Sequence, residues 1–163
     1  MNKKVIKVGI AELGLAAAPD IIRTSGLGSC VGLIIYDELK ETAVLAHIML
    51  PDSSLSRADV MNPYKYADTA IAEAVYQLAK AGCDTKQLKA KMAGGAQMFR
   101  FQPSSDLMRI GPRNVEAILE QLKKHDIHLV SSDIGGSSGR TVEFDPSTSL
   151  LFIKTVNQEL KYL

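Results

Sequence analysis

Two apolar runs, Val31 to Tyr36 (VGLIIY) and Ala43 to Leu50 (AVLAHIML), stand six residues apart in this chain. Both are short and bounded by turn formers, and the first is rich in β-branched side chains, so each reads as a buried strand. The polar stretch between them, Asp37 to Thr42, reads as the turn of a hairpin. A Gly-rich turn, Ser25-Gly26-Leu27-Gly28-Ser29, leads into the first run, and Pro51 stops the second. Whatever else the chain builds must bury this hairpin.

Around it, Val5 to Ile10 and Ile21 to Thr24 read as strands, with residues 11–20 an irregular connection. Tyr64 to Ala81 has apolar residues at helical spacing, namely Ala67, Ala70, Ile71, Ala74, Val75, Leu78 and Ala79, and Gly82 suits its end. Leu88 to Ala93 is a strand broken by Gly94-Gly95. Arg113 to His125 is a second amphipathic helix. Ile127 to Val130 is a strand, 133–140 (DIGGSSGR) a loop, and Val142 to Val156 a closing hairpin. That makes six or seven strands and two helices without regular β-α alternation. The expected fold class is an α/β (α+β) layered sandwich of mixed β-sheets with flanking helices. Neither repeats nor linkers divide the 163 residues, so a single domain over 1–163 is expected.

Composition excludes several classes. The net charge is +1, with Lys and Arg scattered, so nothing points to nucleic acid. No run approaches the roughly 20 apolar residues that span a bilayer. No apolar stretch of signal-peptide type follows the first lysines. The two cysteines, Cys30 and Cys83, are expected as free thiols in the cytoplasm. No metal-ligand spacing is present, so no metal is expected.

Chemistry concentrates between Thr24 and Pro51. Cys30 lies where the Gly-rich turn enters the buried strand. Backbone N–H groups left unpaired there, around Gly28 and Ser29, can stabilise an oxyanion and lower the thiol pKa. His47 interrupts the second apolar strand. If Asp37 to Lys40 form the turn, Tyr36 faces Glu41, Ile34 faces Ala43 and Cys30 faces His47. Directly opposed side chains share a face, with Cβ atoms ~4.5–5.5 Å apart. A slip of two residues weakens this pairing, and a slip of one undoes it. Thr24, through its hydroxyl or its carbonyl, could take the other ring N–H of His47. The plainer alternatives are a buried cysteine acting as a small hydrophobe and a satisfied core histidine.

Two further segments carry open alternatives. In AGGAQMF (93–99) and the following Arg100-Phe101, Met98, Phe99 and Phe101 either fill the core or grip a partner helix. GGSSGR (135–140) is a surface turn or an anion cradle, but not a P-loop. Asp68 opens a helix, where the dipole alone explains it.

The blocks GLGSC (26–30), AHIMLPDS (46–53), KYADTA (65–70), AKMAGGAQMF (90–99), IGPRNVEA (110–117) and GGSSGRTVEF (135–144) occur in order along the chain. Together they resemble the chemoreceptor glutamine deamidase family, CheD. The resemblance implies a fold related to bacterial deamidating toxins, with Cys30 as nucleophile, His47 as its base and Thr24 as third member. It leaves Cys83, His125 and His128 outside the catalytic pattern. The implied reaction is hydrolysis of glutamine side chains on methyl-accepting chemotaxis receptors through a Cys-His thioester, with no cofactor. The alternative function is a binding regulator of the CheC phosphatase with little catalytic duty. A general cysteine peptidase is a third and weaker reading.

Overall fold

The computed structural model of the chain describes residues 2–98 and 109–163. Phe99 and Phe101, two of the three candidate partner-binding residues, lie outside the described residues.

The two apolar runs form β4 (Val31–Asp37) and β5 (Thr42–Ile48), every residue of which is buried. They are the middle of a five-stranded sheet in the order β2 (Leu13–Ala17), β5, β4, β6 (Lys89–Gly94), β7 (His128–Ile134). A second five-stranded sheet runs β1 (Val5–Lys7), β3 (Ile21–Leu27), β8 (Arg140–Asp145), β9 (Leu150–Thr155), β10 (Lys161–Tyr162). Both sheets are mixed, because β1–β3 and β6–β7 pair parallel and the other pairs antiparallel. Two helices, α1 (Ala67–Lys80) and α2 (Ile110–Lys124), cover the outer face of the first sheet.

This layering explains the unbroken apolar runs. Side chains alternate between the faces of a strand. Val31, Leu33, Ile35, Val44, Ala46 and Ile48 point to the helices and meet Ile71, Leu78 and Ile118. Ile34, Tyr36, Ala43 and Leu45 point the other way and meet Ile22, Val142, Phe144 and Ile153 of the second sheet. A sheet covered on both faces needs apolar residues at every position. The expected sandwich of mixed sheets with two flanking helices is therefore present.

Several local expectations change. Residues 13–17, expected as irregular, form edge strand β2, and β7 continues to Ile134, into what was expected as a loop. The first helix starts at Ala67 rather than Tyr64, after a 3-10 turn at Pro63–Lys65. The second starts at Ile110, a turn before Arg113, with Pro112 in its first turn, where a missing N–H costs nothing. The hairpin turn is 38–41 rather than 37–40. Asp37 is a buried strand residue whose carboxylate accepts from the Leu39, Lys40 and Asp84 N–H groups. That shift moves the β4–β5 register by two residues.

Candidate functional site

The two sheets meet at the chain segment that passes from β3 to β4. Within three residues, Gly28, Ser29 and Cys30, the backbone leaves one sheet and joins the other. At this end of the sandwich lie Thr24 from β3, His47 from β5 and the half-buried Cys30 just before β4.

The register corrects the expected pairing. His47 stands opposite Gly32, and Val31 opposite Ile48 is the last rung of the ladder. Cys30 is thus diagonal to His47 on the same inter-sheet face, packed against the cluster that holds Leu27, Ala93 and Val142. Diagonal neighbours on a sheet are ~7–8 Å apart, within reach of longer side chains. The cysteine and histidine share a face, as the spacing implied, but are not directly opposed. Among the described residues, no hydrogen bond joins them, since His47 Nε2 is buried and makes none. Gly32 gives the space this crossing needs. A Cβ there would sit 3.1 Å from Leu27 Cδ1 and 3.4 Å from the Thr24 methyl.

Thr24 Oγ1 is 2.7 Å from His47 Nδ1 and 2.7 Å from the Val8 carbonyl oxygen. A hydroxyl has one proton, and a carbonyl can only accept. Thr24 therefore donates to Val8 and accepts from an Nδ1–H on His47. This selects the imidazole tautomer with a bare Nε2, the form a general base requires. The hydroxyl, not the Thr24 carbonyl, makes the contact. Burial holds the imidazole pKa below its ordinary 6.5, so the ring is neutral near pH 7.

The thiol differs from expectation. Burial pushes the Cys30 pKa above the ordinary 9.0, and its own backbone N–H only partly pulls it back. Burial thus works against the charged form of both groups.

The turn itself is held from behind. Its three successive carbonyls are all engaged. Ala96 N–H donates to Gly28 O at 2.9 Å and Gly95 N–H to Cys30 O at 2.9 Å. Between them, the Asn114 side-chain amide donates to Ser29 O at 3.0 Å. Gly94 and Gly95 carry φ of 118° and 65°. A Cβ on Gly94 would lie 2.3 Å from the Cys30 carbonyl oxygen, so only glycine fits there. The Gly28 N–H turns back to Gly26 O. Among the described residues, the Ser29 and Cys30 N–H groups donate to no other residue's carbonyl. Among the described residues, the donors this turn leaves without a carbonyl partner are thus those of Ser29 and Cys30.

Two supports were not singled out from sequence. Asn114 is fully buried inside α2, where its position reads as a helix-surface polar residue. Arg140 donates to Gly135 O at 2.9 Å and Gly94 O at 3.4 Å, bracing the glycine turn. Its Nε lies 3.4 Å from Asp133 Oδ2, a charge contact without hydrogen-bond geometry. The GGSSGR loop is tied inward as well, by Gly135 N–H to Gly94 O and Gln97 N–H to Gly136 O. Asp68 does more than face a helix dipole. Its two oxygens accept from Ser53 N–H at 3.0 Å and Ser53 Oγ at 2.6 Å, holding the loop after Pro51.

Met98 is 45% exposed and lies over the turn, its Cγ 3.2 Å from where a Gly28 Cβ would be. Cys83 is buried against Leu78 at the end of α1, its N–H bonded to Leu78 O, as a packing residue should be. Among the described residues, no three His, Cys, Asp or Glu side chains gather as a metal site would need. No described helix is long and apolar enough to cross a membrane.

Residues 49–155 match the family model described as CheD chemotactic sensory transduction. The chain is 58% identical over 154 residues to the chemoreceptor glutamine deamidase CheD of Bacillus velezensis, covering 94% of this chain and 93% of that protein. The same figures hold for the protein of that name in Bacillus subtilis. A probable chemoreceptor glutamine deamidase CheD of Clostridium botulinum is 50% identical over 96% of both chains. With similarity running over nearly its whole length, the chain belongs to the CheD family.

Proposed function

We propose that this chain is a protein-glutamine deamidase that hydrolyses glutamine side chains of chemotaxis receptors, with Cys30 as nucleophile and His47 as general base. The observation that carries the reading is the His47 imidazole. Its Nδ1–H is held by Thr24 and its bare Nε2 shares a face with Cys30. A satisfied core histidine would have both nitrogens partnered.

The chemistry follows from that arrangement. His47 Nε2 takes the thiol proton as sulfur attacks the glutamine Cδ. The carbonyl electrons move to oxygen, and the Ser29 and Cys30 N–H groups stabilise that charge. The imidazolium, kept in orientation by Thr24, returns its proton to the departing nitrogen, and ammonia leaves. The product is a thioester on Cys30. A water then gives a proton to Nε2 and attacks the thioester, and the tetrahedral species collapses to a glutamate side chain and free thiol. Burial opposes charge on both groups, so in this mechanism thiolate forms as the substrate arrives.

Two features favour a protein substrate presented on a helix. Cys30 is only half-buried, and it follows the turn over which the exposed Met98 lies. Met98 offers an adaptable apolar contact beside Cys30. The same surface suits a phosphatase of the CheC type, if that partner presents a similar helix. Cytoplasmic residence, a single domain spanning residues 1–163 and kinship of the fold with deamidating toxins belong to the same proposal.

Incubating a receptor cytoplasmic fragment with the protein should raise glutamine masses by ~1 Da, with one ammonia released per change. Cys30→Ala and His47→Ala, folded as the parent, should do neither. Deamidation that survives Cys30→Ala would overturn the assignment.

A further inference from the structure

We infer that Asn114 is a positioning residue for the oxyanion site: its side-chain amide sets the direction of the Cys30 backbone N–H and ties the cysteine turn to the histidine strand. The inference rests on the functional reading above and deepens it.

Asn114 Nδ2 makes two bonds, to Ser29 O at 3.0 Å and to Met49 O at 2.9 Å. Ser29 immediately precedes Cys30, and Met49 is two residues after His47. The two strands part here. Their last rung is Val31 opposite Ile48, and beyond it Met49 N–H turns away to Lys65 O. One amide therefore closes the open end of the hairpin that carries both reacting side chains.

The bond to Ser29 matters through peptide geometry. The Ser29 C=O and the Cys30 N–H belong to one planar trans peptide, so they point in opposite directions. Among the described residues, the sole cis peptide is Ala18-Pro19. Holding the carbonyl toward α2 aims the N–H away from it, to the side where the thiol lies. The neighbouring peptide obeys the same rule, with Ala96 N–H holding Gly28 O and so aiming the Ser29 N–H. That second support is main chain, whereas Asn114 is a side chain and can be replaced.

The amide's orientation is not free to flip. Both acceptors are carbonyls, so the nitrogen must face them. Its Oδ1 is then left buried, with no partner among the described residues. The amide thus carries the cost of one unpartnered buried oxygen. Retaining a half-satisfied amide at 0% exposure fits a residue kept for what its nitrogen does.

The test compares Asn114→Leu, similar in size without donors, with Asn114→Ala, where water can enter. Both are measured for cooperative thermal unfolding, for kcat and KM with a receptor fragment, and for the pH dependence of Cys30 alkylation by iodoacetamide. In folded variants kcat should fall about 10-fold or more while KM stays within about twofold. The Cys30 alkylation profile should move to higher pH, because the N–H that favours thiolate is no longer aimed at sulfur. A folded variant with parental kcat and an unmoved alkylation profile overturns the inference. So does failure of both variants to fold, which assigns the amide to stability. If the parent protein releases no ammonia, the functional reading fails, yet the alkylation profile still decides whether Asn114 orients the Cys30 peptide.

Discussion

Thr24→Val tests the hydroxyl that sets the histidine tautomer. The change keeps the branched shape and removes one buried oxygen that makes two 2.7 Å bonds. The Val8 carbonyl and the His47 Nδ1–H are then both left without this partner, at about 1–3 kcal/mol each. Relief from burying the hydroxyl returns about 1–3 kcal/mol. The net is a loss of about 1–3 kcal/mol, a fall in Tm of roughly 3–10 °C for a domain of this size. The catalytic loss should be larger. Without an acceptor at Nδ1 the ring can carry its proton on Nε2, facing the thiol, and cannot act as base. In a serine-protease triad the wrong tautomer costs about 10⁴ in kcat. A neutral hydroxyl orients less strongly than a carboxylate, so about 10²–10³ is expected here, in kcat rather than KM. Steady-state ammonia release beside a thermal melt separates the two losses. Thr24→Ser keeps the oxygen and should regain most of the rate. A folded Thr24→Val protein with kcat within about threefold of the parent would refute the tautomer argument.

Three further outcomes follow from the site. The folded pKa of His47 lies below its unfolded value near 6.5, so the unfolded chain binds more protons between the two. Stability should therefore be complete above pH 6.5 and decline as pH falls through the folded pKa, and His47→Gln should flatten that decline in pH-dependent melts; the acid limb of kcat should likewise lie below 6.5. Gly94→Ala places a methyl group 2.3 Å from the Cys30 carbonyl at a φ of 118°, so it should lower stability by about 3 kcal/mol or more and abolish turnover; a melt near the parent's would show that this turn yields. Iodoacetamide should label half-buried Cys30 before buried Cys83, with a rate that keeps rising above pH 8; a plateau at neutral pH would reveal a preformed thiolate.

The parts of the fold legible in sequence are those where one physical force dominates. The β4 and β5 runs, the α1 stripe and the turn chemistry around Cys30 all carry strong local patterns. His47 stood out because a titratable ring in a strand buried on both faces needs a reason. The β4–β5 register was missed by two residues because Asp37 reads as a turn former, whereas its carboxylate organises the turn from a buried strand end. Edge strand β2 was missed because its alanines and Gly14 are poor strand formers. Gly14 is there for contact, since a Cβ would meet Val8 Cγ2 at 2.9 Å. Asn114 and Arg140 were invisible for a different reason. Both partners of Asn114, and Gly94 for Arg140, are backbone carbonyls far away in sequence, which no periodicity reveals. The expected low thiol pKa also failed, because burial outweighs the one N–H that opposes it.

The crossing of the chain from one sheet to the other has a mechanical consequence. Thr24 rides on one layer and His47 on its neighbour, and the hydrogen bond between them spans the seam. Sliding one sheet past the other by even an ångström would stretch that bond before either sheet lost a rung of its own ladder. Under the proposed mechanism, turnover should thus report how the two layers are aligned. Pressure, cosolvent or a substitution such as Phe144→Leu, deep between the sheets, should silence the reaction while spectroscopic signatures of both sheets persist.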